Sequence, residues 1–263
     1  MSNALREHWP EYLIEGLGMA VLVLVIAVGG TLLHHPDSPV VTALPSVWLR
    51  QAMMGLLMGC VLLVMIRSRW GQRSGAHFNP ALTITFYRLG VVHRADAIWY
   101  VSAHFAGGIG GIAAARLLLG KSLAHPSVNS MVTAPGTAGA AGAFLGELVI
   151  AAILMFTVLW FTNRPNLNRW TGVVLASLLV LFLLLEAPLS GMSLNPARSF
   201  ASATSAWVWT AEWVYFAAPL LGMFLAAAAY RRLSSDRRVL CAKLHHDNHE
   251  RCIFRCSYPD PTN

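Results

Sequence analysis

Ser74-Gly75-Ala76-His77-Phe78-Asn79-Pro80-Ala81 and Ser190-Gly191-Met192-Ser193-Leu194-Asn195-Pro196-Ala197 are two versions of one phrase, opening on Ser-Gly and closing on Asn-Pro-Ala. Each triplet starts an apolar stretch, to about Leu89 and to about Trp207, half the ~20 residues needed to cross a bilayer. Asparagine is a favoured helix cap, and proline costs nothing at the first helical position, where the N–H would have no partner. Each triplet therefore predicts a half-helix too short to span alone. One such triplet is an ordinary helix start; two in matching contexts are a repeat.

Around these stretches lie six longer apolar spans, at 12–33, 46–66, 96–118, 140–161, 171–187 and 211–231. Glu15 in the first and Glu147 in the fourth occupy equivalent places, beside Gly-Leu and Gly-Glu-Leu neighbours. Each half thus holds three spans and one half-helix. Three is odd, so the second half must lie inverted in the membrane relative to the first. The expected fold is an all-α membrane protein of six transmembrane helices plus two re-entrant half-helices. A channel domain covers 1–232, with repeats at about 10–120 and 138–232, and a tail covers 233–263.

Composition agrees. The 263 residues are 56% hydrophobic and 12% charged, against the ~25% charge usual in soluble domains. Met1 to Pro10 is polar and leads into a run too long for a signal core, so no removable signal is expected. The net charge of +7 is explained by topology rather than by nucleic acid. Arg67, Arg69, Arg73, Arg88, Arg94, Arg164 and Arg169, with Arg231, Arg232, Arg237, Arg238 and Lys243, fall on the side of both termini. Arg50 and Lys121 are the main cations opposite. An excess of Lys and Arg marks the cytoplasmic side, so both termini are expected in the cytoplasm.

Half-helices entering from opposite faces would meet, N-terminus to N-terminus, near the midplane. Each end carries about half a positive charge from its aligned peptide dipoles, which repels cations and protons. Asn79 and Asn195 would cap the helices and offer amide N–H groups to a passing water. The carbonyls of Gly75, Ala76 and His77, and of Gly191, Met192 and Ser193, are candidate acceptors along the file. Irregular backbone at membrane depth is tolerated only inside protein or along a wet cavity. Glu15 and Glu147 are expected to hold the two loops by accepting from their backbone N–H groups, since a buried carboxylate needs such partners.

On these two loops the chain resembles the aquaporin (major intrinsic protein) family over roughly residues 10–232, as a bacterial-type water channel. The resemblance implies a homotetramer with one pore per subunit, in a bacterial inner membrane, with an outer selectivity filter of four residues. Carried over by spacing from the triplets, these are Gly59, Leu183, Met192 and Arg198. Water-selective relatives usually have Phe and His at the first two positions, so this filter should be wider and more apolar. Ser199, Ala203 and the Tyr215-Phe216 pair instead resemble the water group. The implied function is passive permeation of water and other small neutral solutes such as glycerol, urea, ammonia, peroxide or metalloid acids. Aquaglyceroporin-like conduction and ion-coupled secondary transport are the alternatives. No nucleophile–base set, phosphate loop or cofactor motif points to an enzyme.

Two polar residues within spans stand apart. Glu186 reads as an interfacial carboxylate in water, with cation binding at the mouth as the sharper alternative. His104 reads as a hydrogen bond between helices, with gating as the alternative.

The tail lies outside the resemblance. Cys241, His245, His246, His249, Cys252 and Cys256 fall within 16 residues. Spacings of four, four, three and four would align 241, 245, 249, 252 and 256 on one helical face. Folded as a knuckle, Cys241, His245 or His246, Cys252 and Cys256 form a four-ligand set of the kind Zn²⁺ prefers. The plainer alternative is a solvated cytoplasmic helix with reduced thiols.

Overall fold

The structure, a computed structural model, describes residues 2–233 and 238–258; Arg237, counted above with the cytoplasmic cations, lies outside them. The long helices are α1 (Ser2–His34), α3 (Val47–Arg67), α6 (Arg94–Leu119), α7 (Gly139–Thr162), α9 (Thr171–Leu185) and α12 (Glu212–Leu233). Short turns α2 (Pro39–Ala43), α4 (Arg69–Ser74), α8 (Pro165–Asn168) and α10 (Ala187–Ser190) link them. The half-helices are α5 (Pro80–Arg88) and α11 (Pro196–Ala206).

Among the described residues five helices are long and apolar enough to cross a membrane, while α9 has 15 residues. At about 1.5 Å per residue α9 rises only ~22 Å, and the α8 and α10 turns extend it at either end. The α1 helix, by contrast, begins ten residues before the expected span at 12. Its polar start is anchored: Tyr12 Oη donates to Asp96 Oδ1 at 2.6 Å, and Arg73 Nε lies 2.9 Å from Glu11 Oε1.

The helices pair as α1 with α6, α7 with α12 and α3 with α9. The first two pairs occupy equivalent places in the two halves, and both close on glycine. A Cβ on Gly107 would stand 2.0 Å from the Gly16 carbonyl oxygen, and one on Gly222 would stand 2.3 Å from that of Leu148. Small residues at these crossings bring the backbones into direct contact, as membrane helix packing favours. The outward faces are apolar: Leu17, Val21, Leu57, Leu145, Val149 and Leu225 are all exposed.

The described part of the tail, residues 238–258, is not helical. It forms irregular chain folded against the segments around Gly75, Val91, Asn163 and Asn168, so the one-face helical alignment of 241, 245, 249, 252 and 256 does not exist. Val239, Cys241, Ala242, Leu244, Ile253 and Phe254 are buried in the same core as the helices.

Candidate functional site

Asn79 caps α5 and Asn195 caps α11, each with extended backbone and proline next. Asn79 Oδ1 accepts from Ala81 N at 2.9 Å; Asn195 Oδ1 accepts from Ala197 N at 3.1 Å and Arg198 N at 3.4 Å. The amides then cross. Asn79 Nδ2 donates to the Leu194 carbonyl at 2.8 Å, and Asn195 Nδ2 to the Phe78 carbonyl at 2.7 Å. Each half-helix is therefore latched to the loop of the other repeat. An amide NH₂ has two donors, so Asn79 keeps one N–H beyond its latch, while Asn195 Nδ2 also lies 3.5 Å from Met19 Sδ.

The loops themselves match in backbone. Gly75, Ala76 and Phe78 have φ of +99°, +59° and +45°; Gly191, Met192 and Leu194 have +80°, +49° and +59°. Four of these six are not glycine, and left-handed backbone costs such residues of order 1–3 kcal/mol each unless the surroundings enforce it. The enforcement comes from two carboxylates. Glu15 accepts from Ser74 Oγ (2.7 Å), His77 N (3.1 Å) and Phe78 N (2.6 Å). Glu147 accepts from Ser190 Oγ (2.8 Å), Ser193 N (2.6 Å) and Leu194 N (2.7 Å). Tyr100 Oη and Tyr215 Oη add a second matched pair, donating to the Ser74 and Ser190 carbonyls at 2.6 Å each. His104 Nε2 meets Glu15 Oε2 at 2.8 Å, tying α6 to α1.

A cavity of about 310 Å³ runs beside the latched asparagines, from His34, Gln51 and Arg198 at one end to Ala76 and His77 at the other. Leu183, Met192, Gly191, Ser193 and Arg198 line it, as do Met54, Met58, Leu154 and Leu179. Arg198 Nη1 is buried and has no hydrogen-bond partner among the described residues, a donor left for a solute. Ser199 is turned away, with its hydroxyl 2.7 Å from Thr133 Oγ1.

Three expectations are corrected. Gly59 does not line the cavity: a Cβ there would meet the Ala176 carbonyl oxygen of α9 at 2.9 Å. Met54 and Met58, four apart on α3, face the cavity instead, and residue 59 lies about 100° further round the helix. Glu186 is not in water but 5% exposed, over Gly146, with neither carboxylate oxygen partnered among the described residues. The Gly75 carbonyl is not an open acceptor, because Leu244 N of the tail donates to it at 3.1 Å. His34, Gln51 and the Tyr100–Tyr215 pair are residues that sequence reasoning passed over or did not assign.

The tail gathers four ligand atoms. The donor atoms of Cys241, His246, Cys252 and Cys256 all lie within 4.8 Å of one another. Cys241 Sγ is 3.5 Å from Cys252 Sγ, and His246 Nε2 is 3.0 Å from Cys256 Sγ. Tetrahedral Zn²⁺ with ~2.3 Å bonds to sulfur needs ligand–ligand edges near these lengths. His245 and His249 stand outside the quartet; His249 is exposed. Hydrogen bonds from Cys241 and Cys252 hold Cys256 well below the usual thiol range, and the same contacts push Cys241 up. Burial disfavours a charged His246, but its bonds to the Cys252 and Cys256 sulfurs outweigh this and raise it to about 9.

Two inverted repeats, crossed half-helices and a cavity along their junction define an integral membrane protein of the aquaporin type. The chain belongs to the major intrinsic protein family, whose sequence profile matches residues 5–230. It is 34% identical over 170 residues to a probable aquaporin, NIP7-1, of Arabidopsis thaliana, covering 64% of this chain and 60% of that one. It is 28% identical over 192 residues to aquaporin Z of Photorhabdus laumondii, covering 70% of this chain and 83% of that one. The matched region spans only about half the length of some plant relatives, 54% for aquaporin NIP6-1 of Arabidopsis thaliana. The fold is shared with the aquaglyceroporin of Plasmodium falciparum, at a TM-score of 0.69 and 22% identity over 86% of this chain and 96% of that one.

Proposed function

We propose that the chain is a passive channel for water and other small neutral solutes that excludes protons and ions. The observation that carries this reading is the crossed pair Asn79–Leu194 and Asn195–Phe78 beside a cavity that continues past both. Two helix N-termini and the Arg198 guanidinium then face one passage, an arrangement that repels cations. Leu183, Met192 and Arg198 form the outer constriction. Their apolar share, with Met54 and Met58 on the opposite wall, favours solutes of glycerol, urea or ammonia size alongside water. Glu15 and Glu147 are both engaged with their loops, and the unpartnered Glu186 is not among the residues lining the cavity, which argues against an ion-coupling carboxylate on the path and so against a transporter.

In this reading residues 1–232 are the channel and 233–263 a cytoplasmic tail. The molecule assembles as a homotetramer in a bacterial inner membrane with both termini inside, its exposed leucine faces covered by lipid and partner copies. Conduction needs no cofactor. The tail quartet binds one Zn²⁺ through three thiolates and one imidazole. Stopped-flow measurements on proteoliposomes with water, glycerol, urea and ammonia test the channel. Linear, gradient-driven fluxes are expected; saturable flux that depends on an ion gradient would refute it. Elemental analysis of the purified protein tests the tail, with one zinc per chain expected and none overturning it.

A further inference from the structure

The tail does more than hang from the channel: it enters it. Leu244 is 2% exposed and lines the same cavity as His77, Asn79 and Arg198, at the end where Ala76 and His77 stand. Its N–H takes the Gly75 carbonyl at 3.1 Å, and the Ala242 carbonyl accepts from His77 Nε2 at 2.8 Å. Phe254 stacks on the His77 ring at 5.3 Å and 6°. Gly75 has room for this because it lacks a Cβ, which would stand 2.7 Å from the Phe254 ring. The groups an open inner mouth would offer to water are thus occupied by the protein's own C-terminal segment.

The segment is strapped to loops of both repeats. Arg255 N donates to the Val91 carbonyl at 2.9 Å, and Leu240 N and His246 N donate to Asn163 Oδ1 and Asn168 Oδ1 at 2.5 and 2.6 Å. Within itself it has no helix or strand over residues 238–258, only scattered bonds such as Ser257 N to the Leu240 carbonyl at 2.7 Å. What brackets Leu244 is the ligand quartet, with Cys241 three residues before it and His246 two after. Chain of this kind takes its form from a bound metal, whose binding energy becomes folding energy. Lys243, between them, is 1% exposed with Nζ on the Glu250 carbonyl at 2.7 Å. A buried ammonium needs a counter-charge. Three thiolates around a divalent ion leave one negative charge in excess, and Lys243 matches it.

We propose that the tail is a metal-folded plug: Cys241, His246, Cys252 and Cys256 bind one soft divalent cation of the Zn²⁺ class, and the resulting knuckle seats Leu244 in the inner mouth. The loaded channel is closed, and removing the metal opens it. This rests on the channel reading above.

The test uses the full chain in proteoliposomes, under reductant, with either Zn²⁺ or a membrane-permeant zinc chelator on both sides. Metal per chain and water permeability are both measured. For the unaltered chain, one zinc and low permeability are expected in Zn²⁺, with a rise of about tenfold on chelation, the change a modest shift of a two-state equilibrium gives. Leu244→Ala keeps all four ligands and should hold its zinc yet conduct at the raised level in both conditions. Cys252→Ser should conduct at the raised level and bind no zinc at ordinary affinity. If all of these proteins conduct equally with and without Zn²⁺, the plug is overturned while the channel stands. If none conducts under any condition, the channel reading fails and the plug with it. If Leu244→Ala opens the pore but the unaltered chain binds no zinc, the metal lock is overturned.

Discussion

Replacing Glu147 with glutamine isolates what holds the loop from Ser190 to Asn195. In the native chain Oε1 accepts from Ser190 Oγ and Ser193 N, and Oε2 accepts from Leu194 N. Glutamine keeps the first pair of bonds but turns an NH₂ toward the Leu194 N–H, donor against donor. A hydrogen bond to a charged group contributes about 1.5–3 kcal/mol, and an orphaned buried amide costs about 1–3. The two overlap, and the neutral side chain avoids the cost of a buried charge, so the net loss is ~2 kcal/mol. For a chain of this size that corresponds to a fall of roughly 4–8 °C in unfolding temperature. Glu147→Ala leaves all three donors without an acceptor and should cost about twice as much. The loop also presents the Leu194 carbonyl to Asn79, so the crossed latch loosens and water permeability should fall by at least ~10-fold in the alanine variant. Thermal unfolding in detergent, followed by fluorescence of the nine tryptophans, and stopped-flow swelling read the two effects. If Glu147→Gln matched the native chain in both, the carboxylate would not be what orders the loop. If the alanine variant were no worse than the glutamine one, hydrogen-bond loss would not be the cause.

Gly107→Ala should lower the unfolding temperature by several degrees, at about 1–3 kcal/mol, because its Cβ would overlap the Gly16 carbonyl; Gly110→Ala, with open space around it, should be neutral. An equal effect at both positions would show that the α1–α6 approach is not the constraint. Leu183→Phe adds bulk to the cavity wall at the proposed constriction and should cut glycerol flux more than water flux; equal reductions would remove Leu183 from the filter. Arg198→Val should raise glycerol flux and let measurable proton or cation current through, in a pH-sensitive dye assay. Unchanged exclusion of cations would leave that task wholly to the half-helix dipoles.

The half-helices were readable because their signals are local: an asparagine cap, a proline at the next position, and a stretch too short to span. The inversion followed from counting, since an odd number of spans per repeat permits nothing else. Gly59 was different. A glycine on an apolar helix reads equally as a gap in a lumen or as a contact point, and only the α9 backbone 2.9 Å from its missing Cβ decides. The rotation of α3, which puts Met54 and Met58 on the cavity, is set by that neighbour and not by spacing from Asn79. The tail's regular intervals suggested a helix face that does not form, because its polar backbone is satisfied elsewhere, by Gly75, Val91, Asn163 and Asn168. The matched tyrosines lay at corresponding points of the third and sixth spans, and comparing those spans would have found them.

The crossed asparagines make the middle of the molecule the same viewed from either end. A solute passing Asn79 and then Asn195 meets equivalent groups in the same order as one travelling the other way. In the proposed passive channel net movement is set by the concentrations on the two sides, and such a centre adds no asymmetry of its own. Directional character is confined to the two ends, where an arginine stands at one mouth and a leucine from the tail at the other.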